Sequence, residues 1–395
     1  MKLTTLEEAS EFITDGTHGS PKRTEDSNGI PLLSAKNVFD GEVRWDDFDL
    51  VPPSELGEFQ KRVNLKNGDV LMTCVGTIGR AAVWSNERSA VFFRSVAIIR
   101  PKSILRPKYL EYVIRSVDFQ DELRRRTKRS SQGGVYLKDI KSMPIVVPPL
   151  VEQERIVKLL DEADELRKLR AQANRRTADL IPALFHDMFG DPGTNPSAWP
   201  FETLGSLIVD GPQNSLYKHS SAYGDGTRIL RIDGFYDGFV SDVASLHRLR
   251  LTAEEIQKYS LRSWDVVINR VNSPQFLGKS ALIPPLAEPV VFESNMMRFA
   301  VNQRRANVSY LIFFLQTNTI RQQIASKAKH AIHQSSINQE DVKTLRILLP
   351  PKDLQDDFAS RVAEIRSLEA KQAASRERLD ALFQSMLHRA FRGEL

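Results

Sequence analysis

The sequence repeats itself once, with a period of about 200 residues, and this repeat constrains the fold more than any other feature. Repetition at a fixed period indicates that one structural unit is built more than once. The offset between matching residues drifts from 195 at Asp15 to 202 at Pro148 and returns to 198 at Ala183. Small insertions in loops explain this drift. The matching pairs are Asp15-Gly16-Thr17 with Asp210-Gly211-Pro212, Ile30 to Val38 with Arg228 to Phe235, Gly68-Asp69-Val70-Leu71 with Trp264-Asp265-Val266-Val267, Ile78-Gly79-Arg80 with Leu277-Gly278-Lys279, Tyr109-Leu110 with Tyr310-Leu311, Asp139-Ile140 with Asp341-Val342, Pro148-Pro149 with Pro350-Pro351, and Ala183-Leu184-Phe185 with Ala381-Leu382-Phe383.

Each half follows the same plan of short strands, one helix and a strand that ends in two prolines. Short apolar runs bounded by Gly, Asn and Ser predict strands, here at 69–73, 81–84 and 95–100 of the first half. Apolar residues at helical spacing predict an amphipathic helix near 107–126, with a counterpart near 308–326. The pattern of each half therefore predicts a mixed α/β unit.

A long helix is predicted after each proline pair, because proline is favoured near a helix start. Residues 151–189 would span about 58 Å if unbroken, although Pro182 is expected to kink the last turns. Apolar residues recur at alternating steps of three and four, which indicates coiled-coil seams. Packing of each helix on its own domain is the alternative. The predicted seams are Ile156, Leu159, Ala163, Leu166, Ala173, Thr177, Leu180 and Leu184 in the first helix, and Phe358, Val362, Ile365, Leu368, Gln372, Leu379, Leu382 and Met386 in the second.

The two helical segments differ in length. Gln153 lies 30 residues before Ala183, whereas Gln355 lies 26 residues before Ala381. Four residues correspond to about one helical turn, so we expect a local asymmetry between the two helices.

Composition excludes several classes of protein. The single cysteine, Cys74, excludes a disulfide framework and a cysteine-rich zinc module. No apolar run approaches the about 18 residues of a membrane span, and the N-terminus lacks the apolar core of a signal peptide. We therefore expect a cytoplasmic protein without a membrane partner. The formal net charge of +5 permits a nucleic-acid partner without establishing one.

The local motifs of common enzymes are absent from the sequence. Gly278-Lys279-Ser280 resembles the end of a P-loop, but Ser273 stands where the motif needs glycine. His330 and His333 lack the further ligands that a metal site needs, so no metal is expected. Cys74 lies in an apolar run, which is typical of a small core residue. We therefore predict a chain without catalytic residues.

Three loops in each half combine cations with Ser, Thr, Asn, Gln or His; we call them the reading loops. They cover residues 17–23, 77–80 and 124–134 in the first half, and 213–219, 272–279 and 327–336 in the second. Cations neutralise phosphates, and Gln, Asn, Ser and Arg side chains read base edges. The alternative to DNA contact for residues 124–129 is that they simply form a helix C-terminus, where positive charge is favourable.

We predict DNA contacts from residues in and beside these loops. In the first half they are His18, Ser20, Lys22, Arg23, Lys36, Arg80, Arg94, Arg126, Lys128, Arg129, Ser131 and Gln132; in the second half they are Gln213, Asn214, Tyr217, Lys218, Asn272, Gln275, Lys279, Lys329, His330, His333, Gln334 and Ser335. Corresponding loops carry different side chains, so the two halves should recognise two different sequences.

The sequence resembles the specificity subunit of a type I restriction-modification enzyme over essentially its whole length. No single motif is decisive, and the duplicated layout with two proline-led helices is the more specific feature. The residues that carry the resemblance are Pro31 to Val38, Gly68 to Met72 with Thr77 to Arg80, Pro144 to Pro149 followed by Glu152 to Val157, and more loosely Leu348 to Pro351 with Leu354-Gln355.

The resemblance implies a mixed α/β fold with two tandem, internally duplicated target-recognition domains, joined and spaced by two long antiparallel coiled-coil helices. The implied segments are a first target-recognition domain at 1–149, a central spacer helix at 150–190, a second domain at 191–351 and a C-terminal spacer helix at 352–395. Each domain would read one part of a split site in double-stranded DNA.

The resemblance also implies partners. Two methyltransferase subunits that use S-adenosylmethionine, and motor-nuclease subunits that use ATP and Mg²⁺, would dock on this chain, which would itself hold no cofactor. Two alternatives stay open: a duplicated coiled-coil scaffold that binds DNA non-specifically or binds only proteins, and a self-sufficient nuclease or methyltransferase.

Overall fold

The computed structural model describes residues 2–19, 21–85, 88–127, 133–240, 242–331 and 334–394, without the side chains of Lys2, His330 and Ala331. The chain divides into two compact units. The first unit comprises residues 1–173 and 372–395, and the second comprises residues 174–371.

The first unit mixes short strands with helices. Its strands are β1 (Lys2–Thr5), β2 (Ser10–Asp15), β3 (Ile30–Leu33), β4 (Val38–Phe39), β5 (Glu42–Val43), β6 (Asp49–Val51), β7 (Val70–Thr73), β8 (Ala81–Val83), β9 (Val91–Phe92), β10 (Val96–Pro101) and β11 (Pro144–Val147). Its helices are α1 (Leu56–Arg62), α2 (Pro107–Arg115), α3 (Val117–Thr127), α4 (Leu137–Lys141) and most of α5 (Leu150–Ala178).

The central sheet of the first unit has the strand order β2-β10-β7-β8, and its neighbouring strands are antiparallel. Both of its faces are covered, because alternate side chains of a strand point to opposite faces. Val70 and Met72 pack with α2 and α5, whereas Leu71 packs in a separate cluster with Trp84 and Phe92. A second sheet, β6-β3-β9, and the pairs β1-β11 and β4-β5 complete the unit.

The second unit repeats this mixture. Its elements are α6 (Leu180–Phe189), β12 (Phe201–Thr203), α7 (Leu204–Leu207), β13 (Ile208–Asn214), β14 (Tyr223–Leu230), β15 (Phe235–Tyr236), β16 (Phe239–Val240), β17 (Arg248–Leu249), α8 (Ala253–Tyr259), β18 (Val266–Asn269), β19 (Val271–Asn272), β20 (Ser280–Leu282), β21 (Val290–Phe292), β22 (Met296–Val301), α9 (Val308–Leu315), α10 (Asn318–Lys327), β23 (Lys329–Ala331), β24 (Gln334–Ser336), α11 (Gln339–Lys343), β25 (Arg346–Leu348) and the first part of α12 (Lys352–Arg392).

The main sheet of the second unit has the order β13-β22-β18-β20-β16-β15. Val266 and Ile268 face the core that contains α9, whereas Val267 faces a second cluster with Phe292 and Met296. Three smaller sheets are β17-β14-β21, β19-β24-β23 and β12-β25. The mixed α/β composition predicted from the sequence is confirmed.

Each predicted amphipathic helix is in fact two helices, which corrects the prediction. The break falls at Ser116 in the first unit and at Gln316 and Thr317 in the second. Ser116 Oγ donates to the carbonyl of Val113 at 2.6 Å, and Thr317 Oγ1 donates to that of Phe314 at 2.7 Å. These hydroxyls satisfy terminal helix carbonyls, which allows the chain to leave the helix and start a new one.

The start of each long helix is tied to its unit by a buried glutamine. Gln153 Oε1 accepts from the Arg106 amide at 2.7 Å, and its Nε2 donates to the Pro148 carbonyl at 2.8 Å. Gln355 accepts from the Asn307 amide at 2.8 Å and donates to the Pro350 carbonyl at 2.7 Å. Both side chains are fully buried.

Two tyrosines repeat the same pattern. The hydroxyl of Tyr109 donates to the Val146 carbonyl, and that of Tyr310 donates to the Leu348 carbonyl, both at 2.9 Å. The two units therefore hold their proline-led strands with corresponding hydrogen bonds.

Several positions of the predicted coiled-coil seams are wrong. Leu166, Leu180, Leu368 and Leu382 are 44–54% exposed. In two cases the next residue is buried instead, since Ile181 follows Leu180 and Phe383 follows Leu382. Near Leu166 the buried contacts are ionic and involve Asp164. The apolar pattern therefore predicted burial of the wrong side of the helix at this point.

The two long helical segments differ in continuity and not in overall length, so the shorter second segment expected from the spacing of Gln355 and Ala381 is not observed. The first segment is interrupted at Asp179, which separates α5 from α6, whereas α12 runs without interruption for 41 residues. The local asymmetry between the segments is thus a break in the first one, three residues before Pro182.

Candidate nucleic-acid interface

Backbone hydrogen bonds bring the three reading loops of the first unit together. The Arg94 amide donates to the Thr17 carbonyl at 3.1 Å, and the Cys74 amide donates to the neighbouring Ser95 carbonyl at 2.9 Å. The Val135 amide then donates to the Cys74 carbonyl at 2.9 Å. One continuous edge of the unit therefore holds the beginning or the end of each of the loops 17–23, 77–80 and 124–134.

The second unit joins its loops in the corresponding way. Leu216 bridges to Glu293, and the Arg270 amide donates to the Asn295 carbonyl at 2.8 Å. Strand β19 pairs with β24, which places Asn272 opposite Ser335. Loops 213–219, 272–279 and 327–336 are thus neighbours, as the prediction of one reading surface per half requires.

Several predicted contact residues of the first unit are already in ion pairs. His18 Nε2 lies 2.8 Å from Asp15 Oδ2, Arg23 Nε lies 2.8 Å from Asp49 Oδ2, and Lys36 Nζ lies 2.9 Å from Asp47 Oδ1. Their side chains are 44–53% exposed, so Arg23 and Lys36 can exchange a carboxylate for a phosphate at the surface. Lys22 and Arg94 are exposed.

Arg126 differs from the other cations of its loop. Its side chain is 18% exposed, and it donates to the Asp139 carbonyl and to Ser142 Oγ at 2.6 Å each. Arg124 and Arg125 are 69% exposed and pair with Asp121 and Glu122. The arrangement gives Arg126 a structural role in holding α3 to α4, while Arg124 and Arg125 face solvent.

Predicted residues of the second unit also divide into exposed and engaged side chains. Gln213 accepts from Arg298 Nε at 2.9 Å and donates to the Lys258 carbonyl at 2.9 Å, and Lys218 pairs with Glu255 at 2.6 Å. Asn272 is half-buried, and its side chain accepts from the Ser273 amide. Ser335 is buried. The exposed predicted residues are Asn214, Tyr217, Gln275, Lys329 and Gln334.

Arg80 and Lys279 end the second reading loop of each unit and lie over aromatic rings. The Arg80 guanidinium is 4.5 Å from the Phe39 ring centroid, and Lys279 Nζ is 4.5 Å from that of Phe235. Burial lowers the pKa of Lys279, and nearby Asp233 opposes this shift. Both cations are half-buried, so they support the loop as well as contributing charge.

Some predicted contacts lie outside the described residues: Ser20, Lys128, Arg129, Ser131, Gln132 and His333, together with the side chain of His330. Their assignment to DNA contact stays a prediction, as does that of the described candidates.

Two exposed aromatic residues that the sequence did not single out lie beside the reading loops of the second unit. Tyr236 is 56% exposed and Phe276 is 41% exposed. Phe276 belongs to the predicted loop 272–279. The neighbouring residues Pro274 and Gln275, which are typical of surface turns, were the feature of the sequence that could have indicated its exposure. Tyr236 is distant in sequence from every loop, and only the fold places it beside Lys279.

The remaining candidates for chemistry are structural. Cys74 is buried, and burial raises the pKa of its thiol to about 12, with Asp15 adding to the shift. In the described ranges, no three His, Cys, Asp or Glu side chains are grouped as a metal site. Among the described residues, no helix is both long and apolar enough to cross a membrane.

Comparison with known proteins identifies the family. Residues 22–175 match the model of the type I restriction modification DNA specificity domain. The chain is 24% identical to the type I restriction enzyme StySPI specificity subunit of Salmonella potsdam, covering 93% of this chain and 82% of that protein. Identity and coverage are the same for the EcoKI specificity subunit of Escherichia coli K12.

The fold agrees with this assignment. The chain superimposes with a TM-score of 0.61 on a chain of the solved structure described as "Structural basis underlying complex assembly and conformational transition of the type I R-M system". The two chains are 18% identical, and the match covers 100% of this chain and 98% of that one. In sequence the chain is therefore similar over nearly its whole length to type I restriction enzyme specificity subunits, and residues 22–175 match the DNA specificity domain.

Proposed function

We propose that this chain reads a split DNA target, with one part of the target read by each unit, and that it docks methyltransferase and motor-nuclease subunits. The first unit would read one half-site through loops 17–23, 77–80 and 124–134. The second would read the other through loops 213–219, 272–279 and 327–336.

One observation carries this proposal: a shared frame presents loops of different chemistry. The frame is shared in the hydrogen bonds of Gln153 and Gln355 and in those of Tyr109 and Tyr310. The loops differ in length and in side chains. A duplicated fold with divergent loops is suited to two different base sequences.

The second reading loop illustrates this divergence. The amides of Gly79 and Gly278 donate to the carbonyls of Thr73 and Asn269, so these pairs of residues correspond. Asn269 lies nine residues before Gly278, whereas Thr73 lies only six residues before Gly79. The longer loop of the second unit also carries an aromatic ring, Phe276, two residues before its glycine, where the first unit has a threonine.

Within each unit, the contacts of the long helices support an antiparallel spacer. In the first unit, Ile156 and Leu160 near the start of α5 share a core with Phe383 and Leu387 near the end of α12. In the second unit, Phe185 of α6 lies 5.6 Å from Phe358, near the start of α12. Opposite ends of the two segments thus meet in each unit, which is the arrangement that antiparallel helices require.

The proposal extends to the partners. A duplicated chain presents two similar surfaces, which suits two copies of one methyltransferase subunit. Those subunits would supply S-adenosylmethionine, and the motor-nuclease subunits would supply ATP and Mg²⁺. This chain would contribute base recognition and spacing, and the reaction would be carried out by the partners.

Methylation mapping tests the proposal. The chain is co-expressed with the methyltransferase subunit of its own locus, and methylated adenines are sequenced across host DNA. A split motif with a fixed spacer is the expected result. Motif-free methylation by a stable complex would reject the proposal and favour a scaffold that binds DNA without sequence preference.

The same measurement separates the two units. Gln275→Ala and Gln334→Ala, both in loops of the second unit, should relax one half of the motif and leave the other half unchanged. Gln322→Ala, an exposed glutamine on α10 outside the reading loops, is the matched control and should change neither half.

A further inference from the structure

Tyr236, Phe276 and Lys279 form a compact group at the surface of the second unit, which we call the aromatic platform. Lys279 Nζ lies 4.3 Å from the Tyr236 ring centroid and 5.7 Å from that of Phe276. Both rings are exposed, at 56% and 41%. Two exposed aromatic rings and one cation therefore lie next to each other at the surface.

Local hydrogen bonds and core packing hold the platform in place. Residues Pro274–Phe276 form a 3₁₀ turn. The Phe276 amide donates to the Ser273 carbonyl at 2.9 Å, and Leu277, the next residue, is buried in the core. Lys279 Nζ donates to the Ile232 carbonyl at 2.6 Å. Little side-chain and loop entropy remains to be lost when a ligand stacks here.

The platform adjoins the proposed reading surface. Phe276 and Lys279 belong to loop 272–279, and Asn272 of that loop is paired with Ser335 of the third reading loop. Any DNA that contacts the exposed Gln275 or Gln334 therefore passes beside these rings.

The first unit lacks such a platform at the corresponding place. Gly79 and Gly278 correspond, because their amides donate to the carbonyls of Thr73 and Asn269 at 2.9 and 3.0 Å. Thr77 stands where the second unit has Phe276, whereas Phe39 corresponds to Tyr236, because each of these rings directly precedes the Asp-Gly turn of a hairpin, β4-β5 or β15-β16. The first unit therefore has only one of the two rings of the platform.

The one ring of this region in the first unit is covered by cations. The guanidinium groups of Arg44 and Arg80 lie 3.7 and 4.5 Å from the Phe39 centroid. Two cations over one ring leave little of its face accessible.

We propose that Tyr236 and Phe276 stack on a nucleobase that leaves the helical stack in the half-site of the second unit, with Lys279 facing the adjacent backbone, and that the first unit reads its half-site without such a base. This inference rests on the proposed function. Aromatic wedges at DNA surfaces unstack base steps, and stacking of a base on an aromatic ring changes affinity by about tenfold or more.

The test uses the full chain in complex with its methyltransferase subunits. The DNA duplexes contain the motif that methylation mapping identifies. The half-site of the second unit is located by DNA cleavage from an iron chelate on Ser220→Cys, an exposed position beside loop 213–219; the native Cys74 is buried. 2-Aminopurine then replaces in turn each base except the methylated adenines, which the methyltransferase subunits extrude themselves, because its fluorescence rises when it leaves the stack.

We expect a severalfold rise on binding at one position in the half-site of the second unit and at none in the other. Tyr236→Ala with Phe276→Ala should abolish the rise and weaken binding by about tenfold, whereas Phe276→Trp should retain both. Phe201→Ala is the matched control, because Phe201 is 39% exposed and is covered by Arg346 at 4.5 Å, and it should change neither.

Three outcomes would overturn the inference. The wild-type complex could show no responsive position, or the double variant could retain the fluorescence rise and the affinity. The double variant could also bind DNA normally but lose assembly with the methyltransferase, which would make the platform a protein-docking surface. Absence of any sequence-specific binding by the wild type would instead reject the proposed function.

Discussion

Arg115 and Asp164 form a buried ion pair that joins α2 to the long helix α5. The atoms Nη2 and Oδ1 lie 3.1 Å apart, and the two side chains are 6% and 7% exposed. Asp164 also accepts from Arg167, which contacts Asp380 of α12 at 2.6 Å. One network of charges therefore connects three helices of the first unit.

The second unit uses aromatic rings for the same purpose. The ring centroid of Phe185 on α6 lies 5.9 Å from that of Tyr310 on α9 and 5.6 Å from that of Phe358 on α12. The attachment of the long helices should therefore respond more strongly to pH in the first unit than in the second.

Asp164→Ala should destabilise the first unit by about 3 kcal/mol, because Arg115 would remain buried with one fewer carboxylate. Denaturant unfolding at pH 7 measures the effect. Leu166→Ala on the same helix, at an exposed position, is the control and should change the free energy of unfolding by less than about 0.5 kcal/mol. Equal effects of the two substitutions would contradict the network.

The same pair predicts a pH dependence. Burial alone would raise the pKa of Asp164, but Arg115, with help from Lys168 and Arg167, holds that pKa below its ordinary value. A depressed pKa in the folded state adds stability above the unfolded value of about 3.9, and this contribution is lost as pH falls further. Unfolding free energy measured from pH 6 to pH 2.5 should fall more steeply in wild type than in Asp164→Ala below about pH 4. Parallel curves would show that Asp164 is not linked to the transition.

Gln153→Leu and Gln355→Leu should each cost about 1–3 kcal/mol, because the substitutions leave buried amide and carbonyl groups without their partners. Thermal unfolding of the two variants measures this directly. Gln172→Leu, at an exposed position of α5, should be nearly neutral. A large loss for one glutamine and none for the other would argue against a shared frame.

Arg124→Ala with Arg125→Ala should weaken DNA binding and reduce the slope of affinity against salt by about 0.9 for each phosphate that the protein no longer neutralises. Both side chains are 69% exposed, so stability should stay the same. Arg126→Ala should instead lower stability, because it removes the hydrogen bonds to Asp139 and Ser142. Fluorescence anisotropy in a salt series separates the cases, and an unchanged slope in the double variant would mean that this helix end does not touch DNA.

Neighbouring residues of α12 offer a matched test of the helix packing. Phe383→Ala should cost about 3–5 kcal/mol, because Phe383 is buried and lies 6.2 Å from Tyr112, centroid to centroid. Leu382→Ala should have little effect, since Leu382 is 53% exposed. Similar losses for both residues would restore the seam predicted from sequence.

The sequence by itself determined the repeated plan, the mixed α/β composition and the two proline-led helical segments. It did so because these features are local: apolar runs, turn residues and prolines act within a few residues. The break at Asp179 in the first segment was not readable in this way, because the spacing of Gln153 and Gln355 relative to their alanine anchors predicted a difference in length instead.

Only the tertiary structure decided which side of each long helix is buried and which loop side chains are exposed. Leu166 and Arg126 show why. Leu166 fits an apolar pattern but is exposed, because ionic contacts of Asp164 orient the helix. Arg126 fits a basic run but is held by Asp139 and Ser142, 13 and 16 residues away. Burial and partners depend on contacts between distant segments, and a pattern read along the chain contains no information about them.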